Sequence, residues 1–195
     1  MEYRLGLTAE PFLYNESKSV AILKMNGNNK EEIKRKVIED NIFQHKKAQS
    51  CKRSFLPVWT RVECLNNELL EVFINSDTRT SKLVLLYAIM KTDRLVFEFI
   101  NEVYKDKIIL MKDTITNNDF EFFFEQKSMQ SEVLLKASDS TKAKLKQVVF
   151  KIMIDAGIIE KNGTDKKIVK PYINDNLKKL FLEDNGKIYL EAIGG

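Results

Sequence analysis

The sequence predicts a mostly α-helical protein, with a helical bundle over residues 1–127 and a C-terminal winged-helix-like module over residues 128–195. Apolar residues recur with the 3.6-residue period of amphipathic helices along most of the chain. Only seven glycines and three prolines interrupt the 195 residues, which is too few for most all-β proteins. The last third changes to a short helix, a long helix and a hairpin signal. The two parts could also pack as one compact unit.

Composition excludes several classes of protein. With 44% hydrophobic and 31% charged residues, the chain has enough apolar side chains to form a core and is not disordered. The longest apolar run, Leu83–Met90, is far shorter than the roughly 18–20 residues of a membrane-spanning helix, so no membrane partner is expected. The first residues lack the apolar region of a secretory signal. Two isolated cysteines, Cys51 and Cys64, are typical of a reducing compartment, and we expect a cytoplasmic protein.

The first helix is predicted to follow a short extended stretch over residues 3–8. Asn15 or Ser17 can serve as its N-cap, because both side chains accept hydrogen bonds from the free amides of a first helical turn. Its apolar residues continue to Met25, and Gly27 is suited to end it because glycine adopts the left-handed conformation that follows many helices.

A second helix and a basic third helix are predicted next. Asn28 or Asn29 can cap the second helix, whose first turn carries glutamates at the positive end of the helix dipole. Residues 45–56 are strongly basic and are predicted to be helical. Pro57 is then expected to break or kink the chain, or to occupy the first position of the following helix.

The middle of the chain predicts three further helices. One ends near Asn75, and residues 76–78 carry the serine, aspartate and threonine of a new helix start. The helix over residues 78–91 is apolar nearly all round, which indicates burial on several sides. Another begins at about Asp93 and carries apolar residues at i, i+3, i+4 and i+7 spacing.

An aromatic segment follows the cap candidates Asn117 and Asn118. Phe120, Phe123 and Phe124 would share one side of a helix that begins there, and we interpret them as core residues rather than a platform for stacking bases. β-propensity alone allows a strand over the same residues. The flanking cap residues favour the helix.

The last third predicts a helix–turn–helix followed by a wing. A short helix over residues 129–137 is separated by Ser138–Ser140 from a long amphipathic helix that Gly157 ends. Asn162-Gly163, between two β-branched runs, is the strongest short hairpin signal in the chain. A small helix over residues 174–183 precedes the last segment. This order of elements is that of a winged helix–turn–helix.

The predicted module carries cations where a nucleic acid would lie. Lys144 and Lys151 lie opposite the apolar stripe of the long helix. Five further lysines flank that stripe or lie on the second arm of the hairpin: Lys142, Lys146, Lys166, Lys167 and Lys170. Lysines contact phosphates as point charges, and on the long helix Gln147 alone is placed to read a base. We therefore expect DNA binding of low sequence specificity.

The net charge of +4 conceals a segregation of charge along the chain. Residues 28–56 hold eight Lys/Arg against four Asp/Glu, and residues 138–182 hold ten against five. Residues 57–135 between them hold nine against thirteen. Basic segments favour contact with polyanions through phosphate neutralisation, although lysines also simply solvate helix faces.

No motif indicates an enzyme. The chain lacks the glycine-rich phosphate loops and the nucleophile-elbow motif. Its only histidine, His45, cannot complete a zinc site with Cys51 and Cys64, whose spacing matches no known ligand pair. We expect no catalytic residue, metal, cofactor or small-molecule substrate. Trp59, the only tryptophan, is predicted to be buried, with an exposed anchor for a partner as the alternative.

Three segments, and the order of the elements between them, match the pattern of one protein family. The segments are residues 3–27 (YRLGLTAEPFLYNESKSVAILKMNG), 36–55 (KVIEDNIFQHKKAQSCKRSF) and 144–159 (KLKQVVFKIMIDAGII), the last followed by KPYI. The chain resembles, over nearly its full length, the BrxA family encoded in BREX (bacteriophage exclusion) operons. The resemblance implies a mainly helical fold, similar in part to the antitermination factor NusB, and an association with DNA. It assigns nucleic-acid binding to eight residues of this chain: Lys46, Lys47, Lys52, Arg53, Lys142, Lys144, Lys146 and Lys151.

The resemblance also implies a function. It predicts a non-enzymatic, DNA-binding accessory or assembly subunit of a BREX anti-phage defence system, with other BREX proteins as partners. One alternative is an adaptor that binds other defence proteins and does not contact DNA. Another is a transcriptional regulator of the operon, which would need a dimer with two spaced recognition helices.

Overall fold

The computed structural model describes residues 1–195 as a mostly helical protein with one three-stranded antiparallel sheet. The α-helices are α1 (Tyr14–Met25), α2 (Lys30–Glu39), α3 (Ala48–Glu63), α4 (Asn67–Asn75), α5 (Thr78–Thr92), α6 (Arg94–Phe99), α7 (Lys105–Ile109), α8 (Asn117–Ser128), α9 (Glu132–Leu135), α10 (Asp139–Ala156), α11 (Asp175–Glu183) and α12 (Lys187–Ala192). A 3-10 turn (Gly6–Ala9) precedes α1, and a π-helical turn (Ile100–Tyr104) joins α6 to α7. The strands are β1 (Thr114–Ile115), β2 (Ile159–Asn162) and β3 (Asp165–Ile168). The predicted helical fold class is confirmed.

Local capping chemistry accounts for most of the helix starts. Asn29 caps α2, and the Glu32 carboxylate accepts a hydrogen bond from the Asn29 amide, so the two form a capping box. Asp77 caps α5 by accepting from two backbone amides, and Ser138 caps α10 by accepting from the amide of Thr141. Gly157 follows α10 with a φ of 82°, in the left-handed conformation that the sequence predicts for it.

The entry to α1 differs from the prediction. Residues 6–9 form a 3-10 turn rather than extended chain, and α1 begins at Tyr14 without a side-chain cap from Asn15 or Ser17. Leu13 stands at the N-cap position with a left-handed φ of 52°. The physical reason lies elsewhere in the chain, because the guanidinium of Arg61 holds the preceding carbonyl groups and so fixes how the chain enters the helix.

Helix α3 differs from the prediction at both of its ends. It begins at Ala48, so that Lys46 and Lys47 precede it, and it continues without interruption through Pro57 to Glu63. Pro57 lacks the amide that would bond to the carbonyl of Arg53, so its position in the helix leaves that carbonyl without its helical partner. The ring of Pro57 is buried, and this apolar burial offsets the lost hydrogen bond.

The aromatic segment is helical, as the sequence predicts. Thr116 caps α8 one residue before the predicted candidates, and Asp119 completes the capping box. Phe120, Phe123 and Phe124 are buried. Phe120 and Phe123 pack against Phe99 of α6, and Phe124 stacks on Phe120, so the interpretation of these residues as core is confirmed.

The hairpin is present, and it has a third strand that the sequence does not reveal. β2 and β3 pair so that Asn162 lies opposite Asp165, which leaves Gly163 and Thr164 as the two turn residues. Gly163 has a φ of 60°, which a glycine adopts without strain. β1 pairs with β3, giving the sheet order β1-β3-β2. Strand β1, which precedes residue 127, therefore pairs with a hairpin that follows residue 127.

Helix α5 lies at the centre of the packing. It contacts α3, α4 and α10, and its residues from Leu83 to Met90 are all buried. Trp59 of α3 is 6% exposed, so its predicted burial is confirmed. The apolar core is continuous from Tyr3 to Ile193, and the domain boundary at residue 127 stays a prediction. No helix combines the length and apolar character that crossing a membrane requires.

Candidate nucleic-acid interface

The first basic element lies at the start of α3. Lys46 and Lys47 precede the helix, and Lys52 and Arg53 lie in its second turn. All four side chains are exposed, and none of them makes an ion pair with a carboxylate. Between them Cys51 points inward, where its thiol donates a hydrogen bond to the side-chain oxygen of Asn41. The helix thus buries one face and presents an unneutralised basic face to solvent.

The second basic element is the outer face of α10. Leu145 and Val149 are fully buried, whereas Lys144 is exposed and makes no ion pair. Lys151 is 59% exposed, and its Nζ lies 2.7 Å from a carboxylate oxygen of Asp155, one turn later on the same helix. Such exposed pairs contribute little to stability, so Lys151 can exchange this partner for a phosphate at small cost.

Two predicted cations on α10 are held by a carboxylate of α8. Lys142 Nζ and Lys146 Nζ lie 2.5 Å and 2.7 Å from the two carboxylate oxygens of Glu121. Hydrogen bonds from Lys142 and then Lys146 hold the pKa of the Glu121 carboxyl below its usual range, so Glu121 is ionised at neutral pH. Together the three side chains carry one net positive charge.

The hairpin offers a third set of cations. Lys167 and Lys170 are exposed without ion pairs. Lys166 folds back, so that its Nζ lies 5.0 Å from the ring centroid of Phe150 and donates to the Thr164 carbonyl. Lys161 on β2 lies directly opposite Lys166 and is exposed. Sequence reasoning missed Lys161, although its place on the first arm of the predicted hairpin was a usable signal.

The segment over residues 8–16 lies between the two basic helices. Pro11 lies beside Lys144 and Lys151 of α10, and Glu16 lies 3.6 Å from the imidazole of His45, next to the first basic element. Helices α3 and α10 each pack against α5. The structure thus places the two basic elements on either side of this segment, and eight of the eleven predicted cations have no ion-pair partner.

The two cysteine thiols and the imidazole of His45 are each packed against neighbouring groups. Burial raises the pKa of the Cys64 thiol to about 11, so this thiol is protonated and weakly nucleophilic at neutral pH. Cys51 is buried against Asn41, and the imidazole of His45 packs edge-on against Phe43. No group of three histidine, cysteine, aspartate or glutamate side chains is arranged to hold a metal ion.

Comparison with known sequences identifies relatives along the whole chain. The family model of BrxA matches residues 1–185. A protein named BREX protein BrxA, from Bacillus cereus (strain H3081.97), is 35% identical, over 99% of this chain and 96% of that protein. A second protein of that name, from Paramagnetospirillum magneticum (strain ATCC 700264 / AMB-1), is 22% identical, over 91% of this chain and 89% of that protein.

The fold also has a solved counterpart. The crystal structure of an uncharacterized protein from Magnetospirillum magneticum superposes with a TM-score of 0.84, covering 99% of this chain and 98% of that chain. Its sequence identity is 20%, so this likeness shows the shared fold alone. Membership rests instead on the family match and on the 35% identity to the Bacillus cereus protein. The chain belongs to the BrxA family.

Proposed function

We propose that this protein is a non-enzymatic, DNA-binding accessory or assembly subunit of a BREX phage-defence system. The defence role is supported by membership of the BrxA family and by relatives named as BREX proteins. The DNA-binding role rests on one observation, that eight of the eleven predicted cations are free of carboxylate partners. Unpaired lysines and arginines neutralise phosphates and release counterions, which is the main source of sequence-independent affinity for DNA.

We further propose that residues from β1 onward form a winged-helix module. The order β1-α8-α9-α10-β2-β3 and the sheet order β1-β3-β2 support this interpretation, with α10 as the helix that approaches DNA and the β2–β3 hairpin as the wing. The helices that precede β1, for which the family resemblance implies a likeness to NusB, would then serve as the scaffold that carries the first basic element.

A salt titration with a random-sequence DNA duplex tests the proposal. We expect the logarithm of the affinity to fall linearly with the logarithm of the salt concentration, with a slope that counts the phosphate contacts. The double variant Lys144→Glu/Lys151→Glu should bind about tenfold more weakly or worse, because two exposed cations become anions. The matched control is Lys178→Glu/Lys179→Glu on α11, which makes the same charge change elsewhere.

Comparison of the two double variants distinguishes a specific contribution of α10 to binding from a general effect of net charge. Equal loss in both double variants would contradict a DNA-binding face on α10. An absence of binding by the wild type even at low salt would contradict the DNA-binding role and favour the adaptor. Circular dichroism of each variant verifies that its helices are intact.

Glu121→Gln provides the opposite prediction, a gain of affinity. The substitution removes the carboxylate that holds Lys142 and Lys146, so that one net positive charge becomes two. We expect duplex affinity to rise a few-fold and the salt slope to steepen by about one. The same titration measures both quantities, and an unchanged slope would show that these two lysines do not reach DNA.

A second candidate function, the protein adaptor, is favoured by a separate observation. Seven of the thirteen exposed large hydrophobic side chains lie between residues 109 and 135, namely Ile109, Leu110, Met111, Phe122, Met129, Val133 and Leu135. Exposed apolar side chains in one region are a feature of protein-binding surfaces. Leu110 and Phe122 line one groove between α7 and α8. Loss of binding to another BREX protein in Phe122→Ser, with DNA binding unchanged, would support the adaptor.

A further inference from the structure

Three neighbouring concavities form one furrow along the surface from Lys144 to Tyr172. In the first, Lys144 and Lys151 of α10 face the segment around Pro11. Pro11 also lines the second concavity, which extends to Lys82 of α5. This concavity also contains the carboxylates of Glu16, beside His45, and of Asp155, which is paired with Lys151. Lys82 in turn lines the third, a cleft of about 590 Å³ between the start of α5, the end of α10 and residues 169–174. Because adjacent concavities share Pro11 and Lys82, we treat them as one continuous surface, called the furrow below.

The cleft at the end of the furrow has an excess of free positive charge. Arg79, Lys82 and Lys170 line it, and none of their side chains makes an ion pair or a hydrogen bond. Of its two carboxylates, Asp77 is already engaged, since it accepts hydrogen bonds from two backbone amides and from the Thr80 hydroxyl. Glu160 lies opposite Lys167 in the β2–β3 pair but makes no ion pair, so the cleft carries three free cations against one free carboxylate. The three free cations are therefore available to an anionic ligand.

Tyr172 adds an aromatic surface to this charge. Its side chain is 87% exposed, although it lies between Pro171, which fixes its own backbone φ, and Ile173, which is 5% exposed. The backbone on both sides is thus restrained while the ring projects into solvent at the rim of the cleft. An exposed ring beside a positively charged groove is the arrangement on which single-stranded nucleic acids stack their bases.

We infer that the furrow binds a single-stranded nucleic acid, whose phosphates contact Lys144, Lys82, Arg79 and Lys170 while one base stacks on Tyr172. The inference rests on the proposed function, because it extends nucleic-acid binding from a duplex on α10 and the wing to a single strand in a furrow that shares Lys144 and Lys170 with that surface and continues to Tyr172. A single strand is the form that fits, because the bases of a duplex are paired and stacked and cannot offer a free face to Tyr172. The cleft volume lies within the range of pockets that enclose small organic ligands, so it accommodates a nucleotide unit.

Fluorescence anisotropy with the full chain tests the inference. The probes are labelled oligo-dT and oligo-U strands of about 15 nucleotides, and a blunt random-sequence duplex. Tyr172→Ala is expected to weaken binding of the single strands about tenfold and to leave duplex binding unchanged. Tyr172→Phe retains the ring and should bind as the wild type does.

A charge variant tests the phosphate contacts independently of the ring. Arg79→Gln/Lys82→Gln/Lys170→Gln should lose single-strand affinity at least tenfold and show a shallower salt slope. The matched control removes three exposed lysines outside the furrow, in Lys34→Gln/Lys112→Gln/Lys179→Gln, and should change the affinity by no more than about twofold. Equal losses in the two triple variants would overturn the inference.

The remaining outcomes separate this inference from the proposed function. Single-strand binding that is unaffected by Tyr172→Ala, or absent in the wild type, would overturn the furrow site while duplex binding keeps the proposed function. Single-strand binding that depends on Tyr172, without any duplex binding, would overturn duplex binding and leave the furrow site established.

Discussion

Phe99→Ala is expected to lower the free energy of unfolding by about 3–5 kcal/mol. Phe99 is fully buried at the end of α6, and its ring centroid lies 5.4 Å, 5.2 Å and 5.8 Å from those of Phe120, Phe123 and Phe150. These partners belong to α8 and α10, so the alanine would leave a cavity where three helices meet. Equilibrium unfolding in urea, followed by circular dichroism, measures the change.

Phe122→Ala is the matched control, because Phe122 is on α8 beside the same cluster but 67% exposed. Its replacement should change the free energy of unfolding by no more than about 0.5 kcal/mol. A comparable loss in both variants would contradict the role of Phe99 as a core junction.

The same experiment tests whether the two predicted domains unfold together. Trp59, the only tryptophan, reports on α3 in the N-terminal half, whereas circular dichroism reports on all helices. Because the apolar core is continuous across residue 127, we expect the fluorescence and dichroism transitions to coincide. Separate transitions would instead support an independently folding C-terminal module.

Helix starts could be predicted where the signal is local. Asn29, Asp77 and Ser138 each cap a helix with their own side chain, which is a property of a few neighbouring residues. Gly157 and Gly163 likewise adopt positive φ angles, which glycine tolerates because it has no Cβ atom. The long helix α10 and the β2–β3 hairpin follow from such local signals and from periodicity.

The sequence predictions fail where residues that are distant along the chain determine the backbone conformation. β1 has two residues, and it exists because β3 supplies its hydrogen-bond partners about fifty residues later. The π-helical turn after α6 and the passage of α3 through Pro57 also depend on packing rather than on local preference. The apolar periodicity of a segment indicates only which of its faces points to the core. It therefore cannot predict the two-residue strand, the π-helical turn or the passage of α3 through Pro57.

In the candidate interface, too, some features follow from the sequence and others depend on tertiary contacts. The sequence identifies which residues are basic, and the exposure of Lys52, Arg53 and Lys144 follows from their positions opposite apolar stripes. The pairing of Lys142 and Lys146 with Glu121 joins side chains more than twenty residues apart. The furrow is formed by segments from both ends of the chain, so its existence depends on tertiary structure alone.

Arg61→Met is expected to lower the free energy of unfolding by about 3–5 kcal/mol, because three carbonyl groups lose their partner and each buried unsatisfied acceptor costs about 1–3 kcal/mol. Arg61 is 2% exposed, and its guanidinium donates to the carbonyl oxygens of Glu10, Pro11 and Phe12 at 3.1 Å, 2.8 Å and 3.2 Å. Burial lowers the pKa of Arg61 to about 10, so the side chain is charged at neutral pH. Methionine fills similar space but donates no hydrogen bond, which leaves these carbonyl groups without a partner.

Arg53→Met is the control on the same helix, because Arg53 is exposed and its replacement should cost no more than about 0.5 kcal/mol. Arg61 also bears on binding, since the carbonyl groups it holds belong to the segment that forms one wall of the furrow. If that segment depends on Arg61, hydrogen exchange in Arg61→Met should increase first at residues 8–16, before the amides of α5. Uniform exchange along the whole chain would contradict this anchoring role, because it would indicate global destabilisation without local release of the furrow wall.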